Sequence, residues 1–581
     1  MDGPALSRRL IPLQLCALAL FSQHAAADIG IEVSGVEGDI KRNVLTFLSL
    51  SRYADRDDLD ADTVERIAQR VPNEVRSALR PFGYYSPQVE STLTHSGTHW
   101  QARISVKAGP PVILKEVDIE LAGPGENDHI LRTVLERSTL KVGQQLNHAD
   151  YEKVKGDLER TAAAFGYLDA QLERHELVVD PAGLAAGVHL RLDTGHRYRF
   201  GAATIRQDVI DDGLMRRYLR FHEGQFYDTT ALLRTQFALD DSQYFSRVEV
   251  LPGERNRQDL TVPVEIQGKA SRRNRYSIGA GYGTDTRYRG TLAWDDRLVN
   301  THGHRLHLGI KGSAITQQLD ASYSIPVGDP ALEKISLDGT YGRTTYGDIT
   351  STGLIFKPGL TQVVGRWQRV MYVEVVRSIN RTNFTRSSDF SLIPGISYAS
   401  IPPGIFGQPV AGRGLYVELS GSHAALGSNS DFLRLFVQDD QRFDLSRRWH
   451  LLLRGQLGVS LVSRFTELPP FERFFAGGDR SVRGFAFNSL SPVNQYGEKI
   501  GGRDLLVGSV EIERDLPRNF AVATFFDAGN AMNSFTVPLE YSAGVGLRYR
   551  LPGISIGVDV AQALSRTDLG PRLHLNIQPV F

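Results

Sequence analysis

The chain holds a single cysteine, Cys16, and it lies in a stretch that reads as a leader to be removed. Disulfides and cysteine-based zinc sites are therefore excluded from the mature protein. Long apolar runs are equally scarce. Beyond the leader no segment is long and uncharged enough for a membrane-spanning helix, and 23% of the residues are charged. Any embedding in a bilayer must use strands, each of which needs only about ten residues with one apolar face. A basic excess is also missing, since 66 Lys and Arg are balanced by 66 Asp and Glu, so no nucleic-acid partner is expected. No HExxH, P-loop, GxSxG or EF-hand loop occurs. Gly279-Ala280-Gly281-Tyr282-Gly283 mimics part of a dinucleotide fingerprint, but no helical pattern follows it. The sequence thus points to no enzyme, no metal and no cofactor.

What is present begins with that leader. Arg8 and Arg9 form a basic start, Leu10 to Phe21 an apolar core, and Ala25-Ala26-Ala27 a small-residue cleavage site before Asp28. The core is too short to span a bilayer, and a leucine directly before Cys16 is wrong for lipoprotein processing. Residues 1–27 read as a secretory signal.

From Asp28 to about Arg272 a unit of roughly 75 to 85 residues recurs three times. In the first, Val64, Ile67, Ala68, Val71, Val75, Ala78 and Leu79 keep helical spacing, with Pro72 dividing the stretch into two helices. Phe82-Gly83-Tyr84 ends the helix, Gln88-Val89-Glu90 opens one strand and Val106-Lys107-Ala108-Gly109 closes another. The second unit repeats this with Tyr151, Val154, Leu158 and Ala162, then Phe165-Gly166-Tyr167, then Leu190 to Gly195. The third offers Leu233 and Phe237 as a helix face behind Asp228, then Tyr244-Phe245 and Val264 to Gly268. Gly143-Gln144 and Gly224-Gln225 recur before the helices of the second and third units. Boundaries fall at 28–113, 114–199 and 200–272, with short linkers expected near Leu114 and Phe200.

From Tyr276 the period becomes two. Leu306, Leu308 and Ile310 alternate with Arg305, His307 and Lys311, and Ile556, Val558 and Val560 with Gly557 and Asp559. About 300 residues of such strands, without a convincing helix, exceed ordinary sandwich size and suit a barrel of about 16 antiparallel strands over 273–581. In the first of these, from Tyr276, Ile278 faces lipid while Gly279, Gly281 and Gly283 thin the inner face. In the last, Leu573, Leu575, Ile577 and Phe581 share the outer face. Pro579 lacks the N–H a ladder needs, so pairing between first and last strands is expected to be incomplete there.

One loop stands out in this alternating region: Gly477-Gly478-Asp479-Arg480-Ser481-Val482-Arg483-Gly484-Phe485. If Arg480 and Arg483 fold into a confined space they need carboxylates. Glu511 and Asp527 both lie on the inward-facing parity of nearby strands.

Together these features resemble a known family. The repeats, in βααββ order, look like POTRA domains, and the arginine loop with Gly484 and Phe485 looks like the loop-six lock of the bacterial polypeptide-transport barrels, the family of BamA and TamA. Three POTRA units rather than five place the resemblance on the TamA side of that family. The resemblance implies a bacterial outer-membrane barrel with POTRA domains in the periplasm, acting on unfolded outer-membrane proteins such as autotransporters. It further implies a lateral seam between first and last strands, contact with outer-membrane lipid, and a TamB-like periplasm-spanning inner-membrane partner at the first POTRA domain. The alternative within this resemblance is a two-partner secretion pore exporting a soluble adhesin through the lumen. That class typically carries two POTRA domains and a plugging N-terminal helix, whereas here the strand-like Ile29-Gly30-Ile31-Glu32-Val33 follows the leader almost directly.

Overall fold

A computed structural model describes residues 28–54, 56, 60–96, 99–401, 414–551 and 554–579. The leader and Phe581 lie outside the described residues. The chain divides into two compact units: residues 1–200 with 224–229 and 255–262, and the remainder.

The first unit holds two three-stranded sheets. In the first sheet, His99–Lys107 is central, parallel to Asp28–Ser34 and antiparallel to Gln88–Ser96. The central strand buries Trp100, Ala102, Ile104 and Val106, every second residue, as a half-buried strand must. Against that face lie Val64 and Ile67 of helix Ala61–Ala68 and Val71, Val75, Ala78 and Leu79 of helix Val71–Leu79. Asp60 caps the former by accepting from the Thr63 N–H, and Pro72 sits in the first turn of the latter, where its missing N–H costs nothing. The second sheet has the same order, with Ala185–Asp193 between Ile113–Ala122 and Gln171–Asp180. It is covered by helices His129–Glu136 and His148–Ala164.

A repeated clip ties successive modules. The Val112 N–H donates to the Gly83 carbonyl, the Leu146 N–H to Val112, and Leu114 exchanges bonds with Gly143 and Gln144. One module later the Tyr198 N–H donates to Gly166, the Tyr227 N–H to Tyr198, and Phe200 exchanges bonds with Gly224 and Gln225. Leu114 and Phe200, read from the sequence as neighbours of linkers, are therefore fully buried and doubly hydrogen-bonded. Gly143 and Gly224 both take positive φ in these clips, which explains why a Gly-Gln pair recurs at this point. Beside the second clip the Tyr167 phenol donates to Asp128, which Arg197 also engages. Burial, reinforced by the hydrogen bond to Asp128, raises the pKa of Tyr167 to about 12.

A third sheet places Thr261–Ala270 between Arg199–Arg206 and Phe245–Pro252. Its helix Thr229–Asp241 corrects the sequence reading. The buried face is Ala231, Leu232, Thr235 and Leu239, while Leu233 and Phe237 are about half exposed. Apolar residues occupy both faces of this helix, and the i, i+4 pair mimicked a core stripe one residue out of phase. Within the second unit this module grips two turns of the barrel. The Tyr244 hydroxyl donates to the Gly303 carbonyl at 2.7 Å, the Asp211 N–H to Thr301 at 2.9 Å, and Arg220 forks onto Asp329.

Sixteen antiparallel strands, from Asn274–Gly283 to Arg572–Pro579, close into a barrel. Tyr276, Ile278, Leu292, Ile310 and Leu461 point outward and are exposed, while Ser378, Asn380, Ser391, Ser420, Ser460, Glu511 and Glu513 are buried inside. This polar-in, apolar-out alternation is the arrangement a lipid-facing barrel requires.

The helix correction gives a direct test. Leu232→Ala should cost about 2–5 kcal/mol, whereas Leu233→Ala next to it should change stability by less than about 0.5 kcal/mol. Hydrogen exchange of Phe245–Pro252 and Thr261–Ala270 reads the difference, and equal effects would contradict the burial assigned here.

Candidate functional site

The candidate site is built by the loop between strands Trp449–Val462 and Asp504–Asp515, which folds inside the barrel. Gly477 and Gly478, both at φ near +100°, reverse the chain. The turn is then tightened by bonds from the Gly478 N–H to the Val482 and Phe485 carbonyls and from the Gly477 N–H to Ser481 Oγ. Val482 and Phe485 enter an apolar cluster with Phe474, Leu490, Leu505 and Val507. Gly484 lies so close to the wall that a Cβ there would sit 2.6 Å from Ser542 Cβ and 2.8 Å from the Ala563 nitrogen. Only glycine allows this approach.

Apolar packing and backbone turn together aim Arg483 at the wall, where it is 2% exposed. Its Nε and Nη2 fork onto the Asp527 carboxylate at 2.8 Å each, and Nη1 reaches Glu511 at 2.6 Å. Nη2 also contacts Ser509 Oγ at 3.2 Å, which itself donates to Asp527. The guanidinium lies 3.3 Å from the centroid of the Phe525 ring. Bidentate pairing and ring stacking are both geometries that a planar guanidinium satisfies and an ammonium does not.

The pairing continues along the wall. Glu511 also accepts from Arg548 at 2.9 Å, and Arg548 pairs with Asp559. Further down, Arg550 bridges Glu513 at 2.6 Å and Asp515 at 3.0 Å, and His450 stands between Asp515 and Asp444. Glu511, Glu513 and Asp515 belong to one strand at alternate positions, so one face supplies a ladder of carboxylates for the arginines of strand Glu540–Leu551.

The residues read from the sequence separate clearly. Arg483, Gly484, Phe485, Glu511 and Asp527 meet in this one cluster. Arg480 does not join it. Its side chain is two-thirds exposed and only 4.0 Å from Asp440, because the turn that buries residue 483 leaves residue 480 on its outer side. Arg548, Asp559, Ser509, Ser542 and Phe525 were not singled out in the sequence. Their inward parity was visible, but which residues share a level depends on the stagger between strands.

The seam is thin. First and second strands pair in continuous register from Asn274 to Gly283, but among the described residues first and last strands pair at Tyr282 with Ile577 and Gly283 with Asn576 alone. The Thr284 N–H adds a bond to the Leu575 carbonyl, the Leu575 N–H donates to Thr284 Oγ1, and Arg289 reaches the Ile577 carbonyl. Gly281 is needed for this contact, since a Cβ would meet the Ile577 carbonyl at 2.8 Å. Tyr276, Ile278 and Leu573 are exposed on the outer surface, and Gly279 faces Thr291 of the second strand. Pro579 pairs with Ile554 of the preceding strand and, among the described residues, with none in the first.

Removing Arg483 leaves the buried Asp527 carboxylate without a cation and Glu511 with Arg548 alone. Arg483→Ala should destabilise the seated loop by about 3–5 kcal/mol, with Arg483→Lys intermediate, while Arg480→Ala should fall within about 0.5 kcal/mol. Limited proteolysis within residues 463–503 measures this; equal protection of the two alanine variants would show that Arg483 does not seat the loop.

Comparison with known proteins agrees with this architecture. Residues 272–577, more than half of the chain, match the Omp85 superfamily domain, and residues 30–108 match POTRA domain TamA domain 1. The outer membrane protein assembly factor BamA of Neisseria meningitidis is 22% identical over 517 residues, 80% of this chain and 63% of that protein. BamA of Nitratidesulfovibrio vulgaris is 23% identical over 369 residues, 59% of this chain and 45% of that one. This chain thus spans less than two thirds of the length of either relative. The crystal structure of BamA from Haemophilus ducreyi lacking POTRA domains 1-3 superimposes with a TM-score of 0.64 at 16% identity, over 80% of this chain and all of that one. With POTRA-like modules ahead of a sixteen-stranded barrel and a family match over most of that barrel, the chain belongs to the Omp85 superfamily.

Proposed function

We propose that this protein inserts other β-barrel proteins, autotransporters among them, into a bacterial outer membrane, acting through the seam between its first and last strands. The observation that carries the reading is the contrast in pairing. Among the described residues every other neighbouring pair in the barrel is laddered over five or more register positions, while the seam has two. A barrel normally removes edges by closing. Here the first strand presents unpaired backbone from Asn274 to Gly281 on the last-strand side among the described residues. A substrate strand pairing there by β-augmentation satisfies its own backbone without exposing it to lipid.

In this reading the barrel sits in the outer membrane, in contact with its lipid, and the POTRA modules face the periplasm. Boundaries at 28–113, 114–199 and 200–272 define those modules, with 273–581 as the barrel. The match of residues 30–108 to a TamA POTRA model supports assigning the chain to the TamA type, with a TamB-like inner-membrane partner at that first module. The seated loop serves as a lock: Arg483, Gly484 and Phe485, with Glu511 and Asp527, hold the wall a few strands from the seam in one state.

The test is a covalent seam. Tyr282→Cys with Ile577→Cys, register partners, are introduced in a chain whose one cysteine, Cys16, is replaced. Oxidation should abolish insertion of a substrate barrel while the protein keeps its folded, heat-modifiable form, and reduction should restore activity. Full activity of the oxidised protein would reject lateral insertion and shift the reading to export of a soluble cargo through the lumen.

A further inference from the structure

His574 stands where three segments meet. It lies on the inward face of the last strand and is almost fully buried. One ring nitrogen, Nδ1, contacts the Asp479 carboxylate of the loop and lies 4.0 Å from Asp285 in the turn after the first strand. The other, Nε2, contacts the backbone carbonyl of Arg483. The Asp479 N–H donates to Asp285 at 2.7 Å, so loop and first turn are joined beneath the same ring.

Both partners of the ring, a carboxylate and a carbonyl, only accept hydrogen bonds. A neutral imidazole has one N–H and would leave one of these contacts without a proton. The ring satisfies both only as an imidazolium, whose charge also suits two carboxylates. The surrounding charges do not displace it from this role. On the loop, the Arg483 guanidinium is directed to Asp527 and Glu511, and Arg480 toward Asp440. On the neighbouring strand Asp559, the register partner of His574, is engaged by Arg548 and lies 3.6 Å from Arg483. Arg289 in the second strand reaches the Ile577 carbonyl, and Arg572 on the last strand stands near Asp285.

We propose that doubly protonated His574 is the latch of the seam, joining last strand, loop and first turn, and that loss of one proton releases it. The latch sits beside the register pairs Tyr282 with Ile577 and Gly283 with Asn576 at the seam. Its opening frees the last strand from the loop and from the first turn in one step. The sign follows from linkage. Closure uses a proton that a water-exposed histidine gives up near its ordinary midpoint of about 6.5. Closure is therefore favoured at low pH and weakens as pH rises, with the open-to-closed ratio changing up to about tenfold per pH unit for a single proton.

The inference rests on the lateral-seam reading, but its test does not need substrate. Spin labels are attached at Leu292→Cys and Leu573→Cys, both exposed on the outer surface on either side of the seam, in the full chain lacking Cys16 and held in lipid bilayers. Pulsed electron resonance should give a short distance at pH 5 and a growing longer population toward pH 8. His574→Gln, which cannot carry the charge, should show the longer population at every pH; Asp479→Asn, placed in the loop, should lose the pH dependence without touching the strand. A distance independent of pH in the labelled parent, or an unchanged profile in a folded variant, overturns the latch. If oxidised Tyr282→Cys/Ile577→Cys still inserts substrate while the pH response is present, the latch stands and the insertion reading falls. The reverse result rejects the latch alone.

Discussion

A guanidinium buried inside a barrel wall is the constraint around which the rest is arranged. Desolvating Arg483 costs several kcal/mol unless its donors are met with good geometry, and leaving Asp527 without its partner costs a similar amount. Each charge therefore requires the other. Because Arg483 belongs to a loop and its acceptors to two strands, this requirement fixes the loop in the lumen. The glycine-thinned approach at Gly484 and the apolar contacts of Val482 and Phe485 then become possible. Phe525, stacked under the guanidinium, supplies a flat apolar surface where water would otherwise compete for the donors.

The same wall shows how unevenly stability is distributed. From Trp449 to Ala563 neighbouring strands are laddered over long registers, and their inner face carries a chain of ion pairs from Arg483 to Asp444. At the seam a few bonds do the closing. Regions of low local stability are where a protein opens first, and here the weak line is set against the most heavily braced part of the barrel. The loop bridges the two: the backbone that orients Arg483 toward the braced wall also presents its carbonyl to His574 on the last strand.

Much of this was legible in the residues. Period-two alternation announced the barrel, and the threefold order of helix, Gly-Tyr or Tyr-Phe turn and closing strand announced the modules. Arg483 with Glu511 and Asp527 followed from glycines and inward parity. The misreadings have physical causes. Arg480 and Arg483 differ only by position on a tight turn, which local composition does not encode. Leu233 and Phe237 lost to Leu232 and Leu239 because both helix faces are apolar and tertiary packing chose between them. The Gly143-Gln144 and Gly224-Gln225 pairs were noticed, but their partners Leu114 and Phe200 lie far away in sequence, and hydrogen bonds of that range leave no local pattern. His574 alternates with the outward Leu573 and Leu575, yet its company comes from the loop and the first turn.

The grip of the third module on the barrel has a mechanical meaning. Three of its anchors reach the turn joining the second and third strands, through Thr301 and Gly303, and the turn joining the fourth and fifth, through Asp329. All are on the first-strand side of the seam. A load on this module would therefore enter the barrel through turns on one side of the seam. A lever needs an asymmetric attachment, and the placement of Arg220, Tyr244 and Asp211 provides one.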